Sequence, residues 1–152
     1  MSYIFNEFSN GRPYGPSFSS VVSTARQRGF TVCFFNNAIS FISFIAFQEP
    51  HPGDDLNGHD VARKLTILSR IISYSSATTL PALQSFQSVQ ITSLVPPSLE
   101  NIPTGDEFLR RLPASDIEFG KIREASNREG TVLRFVGVID AQRGIVKAGL
   151  EK

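Results

Sequence analysis

The feature that most constrains the fold is residues 49–72, in which a turn-forming half leads directly into a helix-forming half. Pro50 and Pro52 restrict the backbone angle φ, whereas Gly53 and Gly58 allow angles that other residues avoid. Four acidic residues lie on or beside this turn: Glu49, Asp54, Asp55 and Asp60. We therefore expect a tight, negatively charged turn that fixes where the following helix begins.

The helix is expected to begin near Asn57 or Gly58, because Asn57 can serve as its N-cap and Asp60 suits the positive end of the helix dipole. At the helical repeat of 3.6 residues, its side chains form three stripes. A polar stripe, expected to face water, contains His59, Arg63, Thr66, Arg70 and Ser73. An apolar stripe, expected to face the core, contains Val61, Leu65, Leu68 and Ile72.

The third stripe begins with Asp60 and Lys64 and ends with Ile67 and Ile71. This mixture predicts that Lys64 lies at a partly buried edge of the helix, beside Asp60. A lysine held in such a place is a candidate proton donor or acceptor. The alternative is an ordinary ion pair between residues four apart, worth about 0.3–0.5 kcal/mol. The pattern alone leaves both interpretations open.

The segment from Glu49 to Lys64 resembles the active-site signature of the homoserine dehydrogenase family. It reads Glu-Pro-x-Pro-x-Asp-Asp-Leu-Asn-Gly-x-Asp-Val-Ala-Arg-Lys. Further segments similar to that family occur in the expected order: 2–8, 17–30, 93–96, 106–108 and 132–137. The resemblance covers nearly the whole chain except residues 32–48.

The resemblance implies reversible, NADP-dependent oxidation of L-homoserine to L-aspartate 4-semialdehyde, in threonine and methionine biosynthesis, with NAD as a second possible cofactor. Lys64 would be the proton donor and acceptor at the substrate oxygen, and Asp60 would orient both Lys64 and the substrate. Glu49 would bind the substrate's amino group, with Asp55 supporting the same pocket. Gly29 would line the nicotinamide and substrate pocket, and it also suits the end of the helix that precedes it.

Family members carry a nucleotide-binding Rossmann domain before the catalytic region, and they form homodimers. This sequence contains no Gly-x-Gly-x-x-Gly pattern and no phosphate loop. The family's second active-site lysine and its monovalent-cation ligands would also lie upstream. We therefore expect residues 1–152 to be a single, partial catalytic domain that is inactive alone.

Residues 32–48 interrupt the resemblance with 17 uncharged residues rich in Phe and Ile, where the family runs directly from Gly-Tyr-Thr to Glu-Pro. A membrane span is one interpretation, but Asn36 and Asn37 weaken it. A buried strand or helix is a second. The third, which we favour, is a translated intron, because every valine codon begins with GT and glutamine can be encoded by CAG.

Composition restricts the possible partners. The net charge of +1 gives no basic field for nucleic acid or an anionic membrane. One cysteine, Cys33, excludes an internal disulfide framework and fits a reducing compartment. Since the first residues also lack a secretory signal, we expect a cytoplasmic protein. His51 and His59 lack a third ligand at metal spacing, so we expect no metal site.

Two alternatives to an enzyme remain. The chain could be a non-enzymatic truncated product that acts by association with a full-length subunit. It could also be a membrane-anchored interaction module that uses residues 30–47. The predicted element order is compatible with all three functions.

That order begins with helices over residues 2–8 and 17–29, followed by the central helix. A strand over 89–94 and helices from Thr104 and Ser115 come next, and strands over 131–140 and 145–150 are joined by a hairpin turn at 141–144. We therefore predict an α+β fold in which helices pack on one face of a mixed sheet, like the catalytic region of a homoserine dehydrogenase without its Rossmann domain.

Overall fold

The computed structural model describes residues 1–12, 14–30, 51–75, 80 and 82–152. Its helices are α1 (Ser2–Phe8), α2 (Phe18–Gln27), α3 (Pro52–Leu56), α4 (His59–Ser75), α5 (Gly105–Arg111) and α6 (Asp116–Arg128). Its strands are β1 (Gln90–Ile91), β2 (Arg134–Asp140) and β3 (Ile145–Glu151). Short 3₁₀ turns cover Phe86–Ser88, Pro97–Leu99 and Leu112–Ser115.

The three strands form one mixed sheet in the order β1-β3-β2. Strands β2 and β3 are antiparallel, and the pair Asp140–Ile145 closes the predicted hairpin. A carboxylate oxygen of Asp140 accepts from the N–H groups of Gln142 and Arg143, which stabilises the turn. Strand β1 runs parallel to β3. The predicted α+β class with a mixed sheet is therefore confirmed.

Strand β1 is shorter than predicted, because the chain leaves the sheet soon after Ile91. The N–H of Thr92 still donates to the carbonyl of Ala148 at 2.8 Å. Two residues later, the N–H of Leu94 donates instead to the carbonyl of Leu56 at 3.0 Å, so the α3 end replaces a strand as its partner.

Local capping signals place the helix ends. The Ser17 hydroxyl accepts from the N–H of Ser20 at 3.3 Å, and the Thr104 hydroxyl accepts from the N–H of Glu107 at 3.3 Å. Gly29 follows α2 with φ of +70°, a conformation that glycine adopts without strain. These predicted helix boundaries are confirmed.

Two hydrophobic clusters hold the helices to the sheet. The larger cluster, which we call the aromatic core, comprises Ile4, Phe5, Phe8, Phe18, Val21, Val22, Ala25, Leu56, Leu94, Leu99, Phe108, Leu112, Phe119 and Leu133. The smaller, which we call the α4 core, comprises Ala62, Leu65, Leu80, Leu83, Val89, Val146 and Ala148. Phe135 on β2 packs against both clusters, so both lie on the same face of the sheet.

The apolar segment at residues 32–48 lies outside the described residues, as does Glu49. None of the helices in the described ranges is long and apolar enough to cross a bilayer. The membrane-anchored alternative concerned residues 30–47, so it stays a prediction.

Candidate active site

The acidic turn contains a short helix, α3, where the sequence predicted turn structure alone. Pro52 occupies its first turn, where the missing N–H of proline is no loss. Asp54 and Asp55 also lie in this first turn, which suits their negative charge. The side chain of Asp54 is exposed, and Asp55 is partly buried. The turn therefore presents two carboxylates from a regular helical frame.

His51 caps this helix. Its Nδ1 accepts from the N–H of Gly53 at 3.1 Å, and its Nε2 lies 3.0 Å from the carbonyl oxygen of Ile102. Because Nδ1 accepts, Nε2 must carry the proton and donate to Ile102. Sequence reasoning considered His51 only as a metal ligand and did not predict this role. The local signal for a helix start was Pro52 followed by two acids, although histidine itself is not a typical cap residue.

Gly58 joins α3 to α4 at a point where any side chain would be strained and crowded. Its φ is +78°, and a Cβ there would lie 2.8 Å from Cζ of Phe135 and 2.9 Å from Cγ2 of Ile91. The Oδ1 of Asn57 accepts from the N–H of His59, the first residue of α4, at 2.8 Å. The helix thus begins where the sequence predicted, and Gly58 lets it start close to the sheet.

The buried face of α4 differs from the predicted one. Its fully or nearly buried residues are Ala62, Leu65, Thr66 and Ser69. Thr66 is buried although it belongs to the polar stripe, because its hydroxyl donates to the carbonyl of Ala62 at 2.8 Å. Leu68 is 49% exposed although it belongs to the apolar stripe. The helix is therefore rotated about its axis relative to the prediction, toward small residues that allow close packing on the sheet.

This rotation moves the third stripe outward, so the prediction that Lys64 lies at a partly buried edge is wrong. The Lys64 side chain is 70% exposed, and Ile67 and Ile71 are exposed with it. Its Nζ nevertheless lies 2.7 Å from a carboxylate oxygen of Asp60, whose side chain is 39% exposed. Asp60 therefore holds an amine that is accessible to solvent.

The polar stripe of α4 is held against the segment that follows it. The guanidinium of Arg63 lies over the ring of Phe86 at 4.8 Å, and His59 packs against the same ring. Farther along, Nε of Arg70 donates to the carbonyl of Leu83 at 2.7 Å. These contacts leave the Asp60–Lys64 side of the helix open. They join residues distant in sequence, so no local pattern predicted them.

Gly29 lies apart from the ion pair, at the end of α2, a helix that packs against α1, α5 and α6. Among the described residues, no heavy atom lies within 4 Å of a Cβ built at Gly29. The next residue, Phe30, stacks on Tyr3 with ring centroids 4.6 Å apart. The structure thus brings Asp60 and Lys64 together on α4 and places Asp55 on the adjoining helix α3. Gly29 lies at the end of α2.

A metal centre finds no support in the part of the chain that the structure describes. No group of three or more His, Cys, Asp or Glu side chains there could hold an ion. Both histidines have structural partners instead: His51 caps α3 and His59 packs on Phe86.

Comparisons with known proteins identify the family. The sequence profile described as homoserine dehydrogenase matches residues 34–151. The homoserine dehydrogenase of Schizosaccharomyces pombe is 40% identical over 153 residues, covering 100% of this chain and 34% of that protein. The homoserine dehydrogenase of Saccharomyces cerevisiae is 37% identical over 154 residues, covering 100% of this chain and 36% of that protein.

A solved structure shows the same fold. The crystal structure of a Candida auris protein of unknown function matches 99% of this chain and 35% of its own, with a TM-score of 0.78 and 36% sequence identity. This chain thus spans about a third of the length of these curated and solved relatives. Since the family profile covers most of its length, the chain belongs to the homoserine dehydrogenase family.

Proposed function

We propose that this chain is the catalytic segment of a homoserine dehydrogenase that oxidises L-homoserine reversibly to L-aspartate 4-semialdehyde, with NADP or NAD, in threonine and methionine biosynthesis. The observation that carries the proposal is the Asp60–Lys64 ion pair at 2.7 Å, on the helix that follows the acidic turn. Membership of the family supports it, because the relatives from both yeasts bear that enzyme's name.

Lys64 is the proposed acid and base. During oxidation the hydroxyl proton would pass to Nζ of Lys64, while the hydride on the same carbon would pass to the bound nicotinamide. In the reverse direction the ammonium returns that proton to the carbonyl oxygen. Asp60 keeps Nζ in place through the ion pair, and the 70% exposure of the Lys64 side chain allows proton exchange with water.

Carboxylates of the acidic turn hold the substrate in this proposal. The amino group of L-homoserine is a cation, so it is attracted to Glu49 and to Asp55. Asp55 lies in the first turn of α3, two residues before the junction to α4. A substrate held at its amino end by these acids presents its hydroxyl group toward Lys64.

The nicotinamide cofactor supplies the hydride acceptor when bound. We assign Gly29 to the edge of the nicotinamide ring, since no described heavy atom lies within 4 Å of a Cβ built there. The sequence contains no glycine-rich loop to cradle a pyrophosphate at a helix N-terminus. We therefore propose that the chain alone binds NADPH very weakly and is inactive. Micromolar binding in a fluorescence titration of the chain with NADPH would contradict this.

The test is a chimera in which this chain replaces the matching third of the S. pombe homoserine dehydrogenase. NADP-dependent oxidation of L-homoserine is measured as the appearance of NADPH. Activity in the chimera that Lys64→Ala abolishes supports the proposal. A folded chimera that binds NADP but does not oxidise L-homoserine contradicts it.

A second form of the chimera lacks residues 32–48. We propose that this segment is intron-derived, so its deletion restores the direct junction of Thr31 and Glu49 and improves solubility. The motivation is its uncharged, Phe-rich composition within an otherwise continuous match. A deletion form that is less soluble than the parent would contradict the intron interpretation without affecting the proposed reaction.

A further inference from the structure

His51 joins two segments that are far apart in sequence. Its Nδ1 accepts from Gly53 at the start of α3, and its Nε2–H donates to the carbonyl of Ile102, 51 residues away. We call these two hydrogen bonds the His51 bridge. The residues before α5 are thereby tied to the N-terminus of the helix that carries Asp54 and Asp55.

Packing fixes the imidazole ring in one place. Its centroid lies 5.1 Å from that of Phe108, with the rings at 65°, and Phe108 is fully buried in the aromatic core. The ring also lies close to Gly53, where an added Cβ would be 2.8 Å from Nδ1 and 2.9 Å from Cε1. A side chain at residue 53 and the His51 ring therefore cannot both occupy this arrangement.

The far end of α3 is also fixed. Leu56 is fully buried, and its carbonyl accepts from the N–H of Leu94 at 3.0 Å. Gly58 then brings the chain against Phe135 and Ile91. With both ends held, the direction of α3, and hence of its acids relative to Lys64, depends on the His51 bridge at one end and on these contacts at the other.

We propose that His51 is a positioning residue of the dehydrogenase reaction: it holds α3 so that Asp55 meets the substrate's amino group while Lys64 meets its hydroxyl group. This inference rests on the function proposed above. Both ring nitrogens are occupied by backbone groups, so His51 acts through α3 and does not itself touch substrate.

Two substitutions separate the two hydrogen bonds. His51→Asn keeps an oxygen that can cap Gly53 but is too short to reach Ile102. His51→Gln places an amide donor near the position of Nε2, so it keeps the bond to Ile102 and loses the cap. His51→Ala removes both bonds. His59→Gln is the matched control, because His59 also packs against a phenylalanine, Phe86, but bridges no backbone groups in the described structure.

In the chimera, we expect KM for L-homoserine to rise by up to about tenfold in His51→Asn and in His51→Gln, with kcat changed less than twofold. The rise in KM should be larger in His51→Ala than in either of these variants. The KM of His59→Gln should equal that of the parent. The melting temperature of His51→Asn should stay near that of the parent, since its cap remains. An unchanged KM in all three His51 variants, or a KM that rises only where the melting temperature falls, would overturn the proposal.

A double substitution tests the same geometry. Gly53→Ala should raise KM in the parent, because the new methyl group displaces the His51 ring. In the His51→Ala background the same change should have no further effect, because the ring is already absent. Additive effects of the two substitutions would contradict the bridge.

Hydrogen exchange separates a failure of this inference from a failure of the proposed function. In the 152-residue chain, His51→Ala should speed exchange at the amide of Asn57, which donates to Gly53 within α3, by at least about threefold. Amides of α6 should be unaffected. If the chimera does not oxidise homoserine, the proposed function fails. Unchanged hydrogen exchange in α3 of His51→Ala would overturn the role of His51.

Discussion

The aromatic core and the α4 core attach helices to the same face of the sheet by different means. The aromatic core uses large side chains, such as Phe18 and Phe119, whose rings stack with centroids 3.8 Å apart. At the α4 core, α4 contributes Ala62 and Leu65 and lies over a glycine of β2, so the helix approaches the sheet closely. A Cβ at Gly137 on β2 would lie 2.9 Å from Cδ2 of Leu65.

The two clusters therefore contribute differently, one mainly to the stability of the fold and the other mainly to the position of α4. Burial of large rings removes much apolar surface from water, so the aromatic core should supply most of the free energy of unfolding. Close approach through glycine buries less surface but leaves little freedom in the position of α4. The helix that carries Asp60 and Lys64 is therefore fixed in place by contacts that contribute modestly to stability.

The largest expected effect is on kcat, for substitutions of Lys64 on α4. In the chimera, Lys64→Ala should lower kcat by roughly 10²–10⁴-fold with little change in KM, because a general acid and base is lost. Lys64→Arg should be nearly as damaging, since a guanidinium keeps the ion pair but does not give up its proton. Steady-state kinetics measure both.

Lys147 provides the matched control for Lys64. Its Nζ lies 2.7 Å from Glu151, also four residues away, and its side chain is 45% exposed. Lys147→Ala should leave kcat unchanged. If Lys64→Arg keeps full activity, or if Lys64→Ala and Lys147→Ala have equal effects, then Lys64 is only a partner in an ion pair.

The next largest effect should be in the aromatic core, and on stability. Phe18 is fully buried, so Phe18→Ala should lower the free energy of unfolding by about 3–5 kcal/mol through lost burial and a new cavity. Denaturant unfolding measures the change. Ile117→Ala is the control, because Ile117 is 73% exposed and its loss should cost little. A Phe18→Ala protein as stable as the parent would remove the distinction between the two cores.

The smallest expected effect tests close approach. Gly58→Ala should destabilise the chain by about 1–3 kcal/mol, because alanine resists the left-handed conformation and its methyl group would collide with Phe135. Gly120→Ala should instead stabilise it by about 0.5–1 kcal/mol, because Gly120 lies inside α6 and no described atom outside the helix's own backbone lies within 4 Å of the added Cβ. Thermal unfolding of both variants should show opposite signs, and the same sign in both would refute the packing argument.

The elements that the sequence predicted correctly depend on nearby residues. The hydroxyl groups of Ser17 and Thr104 cap helices by accepting from the N–H group three residues later. The hairpin turn closes where Asp140 pairs with Ile145. The pairing of Asp60 with Lys64 is equally local, because a spacing of four places both side chains on one side of a helix. Such features could be predicted because their partners lie within one turn of chain.

The features that sequence reasoning missed depend on distant partners. The rotation of α4 follows from Gly137, which lies on a strand more than 60 residues later and admits Leu65 closely. The exposure of Lys64 follows from that rotation. Strand β1 ended early because the carbonyl of Leu56 bonds to Leu94. The Nε2 of His51 bonds to the carbonyl oxygen of Ile102. None of these contacts leaves a periodic signal in the sequence.

The strand order has a consequence for how the chain folds during synthesis. Strand β3 lies between β1 and β2, although it is the last of the three in sequence, and it pairs Ile91 with Ala148. The hairpin of β2 and β3 can form rapidly from adjacent residues, whereas β1 must wait for that distant strand. On the ribosome, α4 would be made long before the sheet beneath it. Helix α4 would then reach its final position only when β3 leaves the exit tunnel.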